Sequence, residues 1–86
     1  MRYETVPAFL EVDIHGMTRE QAKTCLQAKL RKAPGSVYRI RVIHGYHGGT
    51  ELRDLVRNQI AKDPRVLRYE TGLNQGQTDL VLRELY

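Results

Sequence analysis

The chain contains a single cysteine, Cys25, so neither a disulfide framework nor a cysteine-built zinc site can form within one copy. No stretch approaches the roughly 20 apolar residues of a membrane helix. The opening segment, MRYETVPAFLEVDI, has no apolar core of signal-peptide length. No HExxH or comparable helical histidine pair occurs, so the common way of fixing two zinc ligands on one helix is missing. Acidic residues are outnumbered, with 10 Asp and Glu against 14 Lys and Arg and a net charge of +4. That excess favours an anionic partner without specifying one. The expectation is a small basic protein of a reducing cytoplasm, unexported and away from membranes; nothing here sets its oligomeric state.

With 86 residues there is material for one hydrophobic core. The expected organisation is a short lead, residues 1–8, followed by a single domain over 9–86. In Phe9 to Ile14, Leu10, Val12 and Ile14 share one face and Glu11 and Asp13 the other, the alternation of a half-buried strand. Thr18 followed by Gln21 forms a capping box and starts a helix near Arg19. Ala22, Cys25, Leu26, Lys29, Leu30 and Ala33 recur at helical spacing until Pro34-Gly35. Val37 to Ile43 is a second alternating strand, with Arg39 and Arg41 opposite Tyr38, Ile40 and Val42.

A second helix of about three turns follows, with Thr50 as its cap, Leu52, Leu55, Val56 and Ile60 inward, and Asp63-Pro64 as its stop. Val66 to Thr71 and Thr78 to Leu85 complete the order βαβαββ. Right-handed crossovers place both helices on one face of a four-stranded, mainly parallel (mixed) sheet, giving a two-layer α/β sandwich. The other face is expected to carry Glu11, Asp13, Arg39, Arg41, Arg68, Glu70, Asp79 and Arg83, with Tyr38 and Tyr69 inward by parity.

The chain also repeats itself. VDIHG and RVIHG each place a histidine and a glycine at a strand's C-terminal end, shortly before a helix. Parallel strands end on one edge, so His15 and His44 should share a rim to which two helix N-termini direct unpaired N–H groups. Gly45, Gly48 and Gly49 make the second turn a candidate phosphate cradle, with Thr50 leading into the helix. A histidine before glycine can equally bond a neighbouring carbonyl and simply fix a turn.

VDIHG, IHGYHGGTELR and NQGQTDLVL, in that order, resemble the three signatures of the small MutS-related (Smr) domain, and the match runs from Leu10 to Leu85. The resemblance implies a fold like the C-terminal domain of translation initiation factor three. It also implies nicking of DNA or cleavage of RNA, and partners among branched or structured nucleic acids and the ribosome. Asp13, His15 and Gly16 match the first signature, His44, Gly45, Gly48 and Gly49 the second, and Gly76 and Thr78 the third. The second loop is one residue longer than the usual spacing, it adds His47, and Asn74 replaces a common glycine.

The chemistry expected of this set is phosphodiester cleavage. One of His15 and His44 would take the nucleophile's proton while the other protonates the leaving oxygen, with Asp13 orienting an imidazole. Backbone N–H groups of the loop with Arg53 would stabilise the phosphorane. Arg39 and Arg41 would hold phosphates, and Tyr46 would stack on a base. An RNA 2′-hydroxyl nucleophile needs no metal; cleaving DNA requires an activated water and favours a divalent cation such as magnesium. Grouping Asp13, His15, His44 and His47 around a metal is a further option. The competing expectation is a module that binds DNA, RNA or a ribosomal surface without cutting it.

Overall fold

The computed structural model describes residues 8–45, 50–71 and 74–84. In order these form strand Ala8–Asp13 (β1), helix Arg19–Lys32 (α1), strand Val37–Ile43 (β2), helix Glu51–Asn58 (α2), one 3₁₀ turn Ile60–Lys62, strand Arg68–Thr71 (β3) and strand Gln77–Val81 (β4). The spatial order of the sheet is β1-β2-β4-β3. β1 pairs with β2 in parallel, whereas β4 lies antiparallel to both β2 and β3. Three strands therefore run one way, with β4 inserted against them.

The helical boundaries follow from identifiable residues. Thr18 accepts a hydrogen bond from the Gln21 amide at 3.1 Å, and the Gln21 side chain accepts from the Thr18 amide at 3.0 Å. The box thus satisfies two amides that the first helical turn leaves free. Thr50 behaves differently from the expectation. Its hydroxyl donates to Asp54 at 3.1 Å and caps no amide. The second helix is also shorter than three turns. It ends at Asn58 and tightens into the 3₁₀ turn before Asp63, which is extended. The Asp63 carboxylate then receives the Arg65 amide, Nε and Nη2 at 2.8–2.9 Å, fixing the turn before β3.

One core joins the helices to one sheet face. Ala22, Leu26 and Leu30 from α1 and Leu55 and Val56 from α2 meet Val12, Ile14, Ile40, Val42 and Leu80. Register explains the layering: Leu10 pairs with Ile40, Val12 with Val42, and Ile40 in turn with Leu80. Cys25 and Ala33 are only partly buried at the border of this core. Lys29 is exposed. The strand pair at the end is shorter than expected, since Val66 and Leu67 precede β3 and β4 stops at Val81. No helix of the described residues is long and apolar enough to cross a membrane.

The opposite face is an ion-pair lattice. Asp79 is nearly inaccessible and accepts from Arg39 Nη1 at 2.7 Å and from Arg41 Nε and Nη2 at 2.9 and 3.2 Å. Arg39 also reaches Glu70 at 2.9 Å, and Arg68 links Glu70 to Glu84. Burial opposes ionisation of Asp79, yet the Arg41 and Arg39 guanidiniums hold its carboxyl below the usual range. Arg83 turns back to the Val37 carbonyl. Arg39 and Arg41, the arginines expected to hold phosphates, thus direct donors at carboxylates across the sheet.

Candidate functional site

Three turns converge at the C-terminal ends of β1 and β2. Gly16 and Gly45 both adopt the left-handed region, with φ of +82° and +78°, which residues with a Cβ enter only at a cost. The turns also touch: a Cβ placed on Gly45 would lie 3.6 Å from the His15 Cβ. The Gly76 carbonyl accepts both the His44 and Gly45 amides, at 2.9 and 3.0 Å. Gly76 is in turn held by Asn74, whose side-chain oxygen accepts its amide at 2.8 Å. Asn74 thus acts through its side chain at a place where a glycine would have none.

The two histidines, alike in sequence, are in opposite states. His15 has a side chain 68% exposed, and its Nδ1 lies 2.5 Å from Asp13 Oδ1. The same carboxylate oxygen accepts the His15 amide at 3.0 Å. The imidazole contact first, and then the amide, hold the Asp13 carboxyl below its ordinary range. Because a carboxylate only accepts, Nδ1 carries the hydrogen, and in the neutral ring Nε2 keeps a lone pair. That nitrogen has no hydrogen-bond partner among the described residues.

His44 is 5% exposed and its ring is fully engaged. Nδ1 donates to the Gly45 carbonyl at 2.8 Å, and Nε2 accepts from the Thr78 hydroxyl at 2.8 Å. Thr78, itself inaccessible, accepts from Arg57 Nε at 3.0 Å. Burial pushes the His44 imidazole below its usual value, and the nearby Arg57 and Arg53 charges act in the same direction. A neutral His44 with both nitrogens committed is a strut between the second and third turns. Of the two histidines expected to move protons, His44 is therefore the one with no ring nitrogen turned to solvent.

The structure therefore brings together Asp13, His15, Gly16, His44, Gly45, Gly76 and Thr78. Arg53 lies within electrostatic reach of His44 and pairs at 3.4 Å with Asp54. Tyr46, His47, Gly48 and Gly49 lie outside the described residues. Arg57 was not among the expected site residues, though a signal was present. It follows Arg53 by four positions and so shares its helix face. Among the described residues there is no group of three or more His, Cys, Asp or Glu side chains able to hold a metal ion.

A small α/β sandwich whose histidine-glycine turns meet a third glycine turn at one sheet edge defines a distinct class of domain. Residues 12–81 match the family model described as Smr domain, and the chain belongs to that family. The family is associated with nuclease action or nucleic-acid binding. Among solved structures, the Smr domain of Thermus thermophilus MutS2 superimposes with a TM-score of 0.77 at 28% identity. The match covers 87% of this chain and 99% of that one. No curated protein matches the sequence.

Proposed function

We propose that the domain binds structured nucleic acid across the rim of His15, Gly16 and Gly45 and cleaves it as an endonuclease, with RNA as the better-suited substrate. The observation that carries this is the Asp13–His15 pair, an exposed imidazole whose Nδ1 is held by a carboxylate and whose Nε2 is free. On RNA, Nε2 takes the proton of a 2′-hydroxyl as that oxygen bonds to phosphorus. The bond to the 5′-oxygen breaks, and the departing oxygen takes a proton from water. A 2′,3′-cyclic phosphate and a 5′-hydroxyl end result. Asp13 fixes the tautomer and stabilises the imidazolium, while Arg53 and Arg57 supply positive charge on the same side.

DNA lacks the 2′-hydroxyl and calls for an activated water. A divalent cation such as magnesium would supply Lewis acidity for that step. The described donor set does not fit a protein-held ion, because Asp13 is committed to His15 and no further carboxylate joins the pair. The second reading, binding without cutting, is favoured by one fact: only one of the two repeated histidines has a free ring nitrogen.

The test incubates the purified protein with an RNA hairpin, a branched DNA and supercoiled plasmid, each with EDTA or magnesium. Cleavage of the hairpin in EDTA with cyclic-phosphate ends is expected. Binding without any cut would establish the non-catalytic module, and absence of both would overturn the proposal.

A further inference from the structure

Beyond the rim, one aromatic side chain of the sheet edge stands beside a cation that no described carboxylate neutralises. Tyr69 in β3 is 42% exposed although its register partner, Leu80, is fully buried. Parity places Tyr69 on the helix side of the sheet, but β3 is the outermost strand, so α2 covers it only in part. The covering group is Arg57, whose guanidinium carbon lies 5.6 Å from the centre of the ring. Arg39, Arg41, Arg53, Arg65 and Arg68 all pair with carboxylates. Arg57 has no such partner among the described residues. Its Nε is bound to Thr78, and its terminal nitrogens make no hydrogen bond to a described residue.

We propose that Tyr69 and Arg57 form a subsite for an unpaired nucleobase and its phosphate, through which a strand held at the His15 rim continues over α2 and β3. The components match that ligand. A tyrosine ring offers a stacking surface to any base, and an arginine already layered on the ring can add its own plane while its free terminal nitrogens meet a phosphate. A chain of hydrogen bonds and one packing contact connects the subsite to the rim. Arg57 binds Thr78, Thr78 binds His44, and His44 binds Gly45, which packs on His15. Stacking requires an exposed base edge and face, so the subsite selects single-stranded segments over continuous duplex.

The subsite presupposes nucleic acid at the rim, and the test separates the two. Fluorescence anisotropy would measure binding of a labelled single-stranded oligonucleotide and of the same sequence as duplex to wild type, Tyr69→Ala, Tyr69→Phe and Leu67→Ala. Base-on-aromatic stacking sets the expected scale, a loss of about 5- to 100-fold for Tyr69→Ala on the single strand. The duplex should lose less than about 2-fold, and Tyr69→Phe should stay near wild type. Leu67, 56% exposed two residues earlier, controls for loss of any hydrophobe at this edge and should leave affinity unchanged. Wild-type affinity in Tyr69→Ala, or an equal loss for duplex, would overturn the subsite while leaving the rim intact. Failure of the wild type to bind either form would instead overturn the rim and the subsite together. Circular dichroism of each variant confirms that the fold is retained.

Discussion

His44 shows what a buried histidine contributes when it stays neutral. Replacing it with alanine removes two hydrogen bonds and leaves the Gly45 carbonyl and the Thr78 hydroxyl without their partner. Loss of these bonds and the cavity together should cost about 2–4 kcal/mol, measurable by urea denaturation. The pH dependence has a definite sign. The folded pKa of His44 lies below its ordinary 6.5, so the unfolded chain binds the proton more readily. The stabilisation is complete above pH 6.5 and is lost as pH falls from there through the folded value. His44→Gln should flatten the stability profile in that window. The sequence VDIHG/RVIHG makes the two histidines equivalent, and local residues cannot separate them. Sheet order does: β1 is an edge strand, while β2 lies between β1 and β4. The third turn consequently closes over His44 and leaves His15 in solvent.

Among the elements, the two helix starts form a natural comparison. Thr18 and Thr50 both precede helices, and sequence alone suggests a cap for each. Only Thr18 accepts an amide, in a box completed by Gln21. Thr50 has Asp54 one turn ahead and donates to it instead, a competition between carboxylate and amides that spacing does not settle. Thr18→Ala should therefore destabilise by about 1 kcal/mol. Thr50→Ala should cost less than about 0.5 kcal/mol, the value of an exposed side-chain pair. Urea midpoints of the two variants check this. The strands were legible from alternation, including the inward parity of Tyr69. Its exposure was not legible, because chain order does not reveal that β4 inserts between β2 and β3 and leaves β3 at the margin.

Over the whole molecule, the positive charge is unevenly available. Composition gives the excess of Lys and Arg, but only the folded sheet shows that Asp79, Glu70 and Glu84 absorb Arg39, Arg41 and Arg68. Asp79 reads in sequence as one more exposed charge, yet it sits nearly inaccessible between two guanidiniums. Arg41→Gln should thus lower stability while nucleic-acid affinity changes little. Arg53→Gln should weaken binding and reduce the slope of log affinity against log salt by about 1, as for one lost phosphate contact. Titrations at several salt concentrations distinguish the two. The family and the order of elements were legible in three short signatures; the division of labour between two identical-looking turns emerged only from their burial.

That division is tested most directly by the cleavage rate of His15→Ala on an RNA hairpin in EDTA, measured beside wild type at pH 7. A loss of at least about 100-fold, the lower end of what a positioned proton-transfer group supplies, with hairpin affinity and thermal midpoint retained, is the predicted result. Cleavage by His15→Ala at the wild-type rate would contradict the assignment of the Asp13–His15 pair as the group that moves the proton.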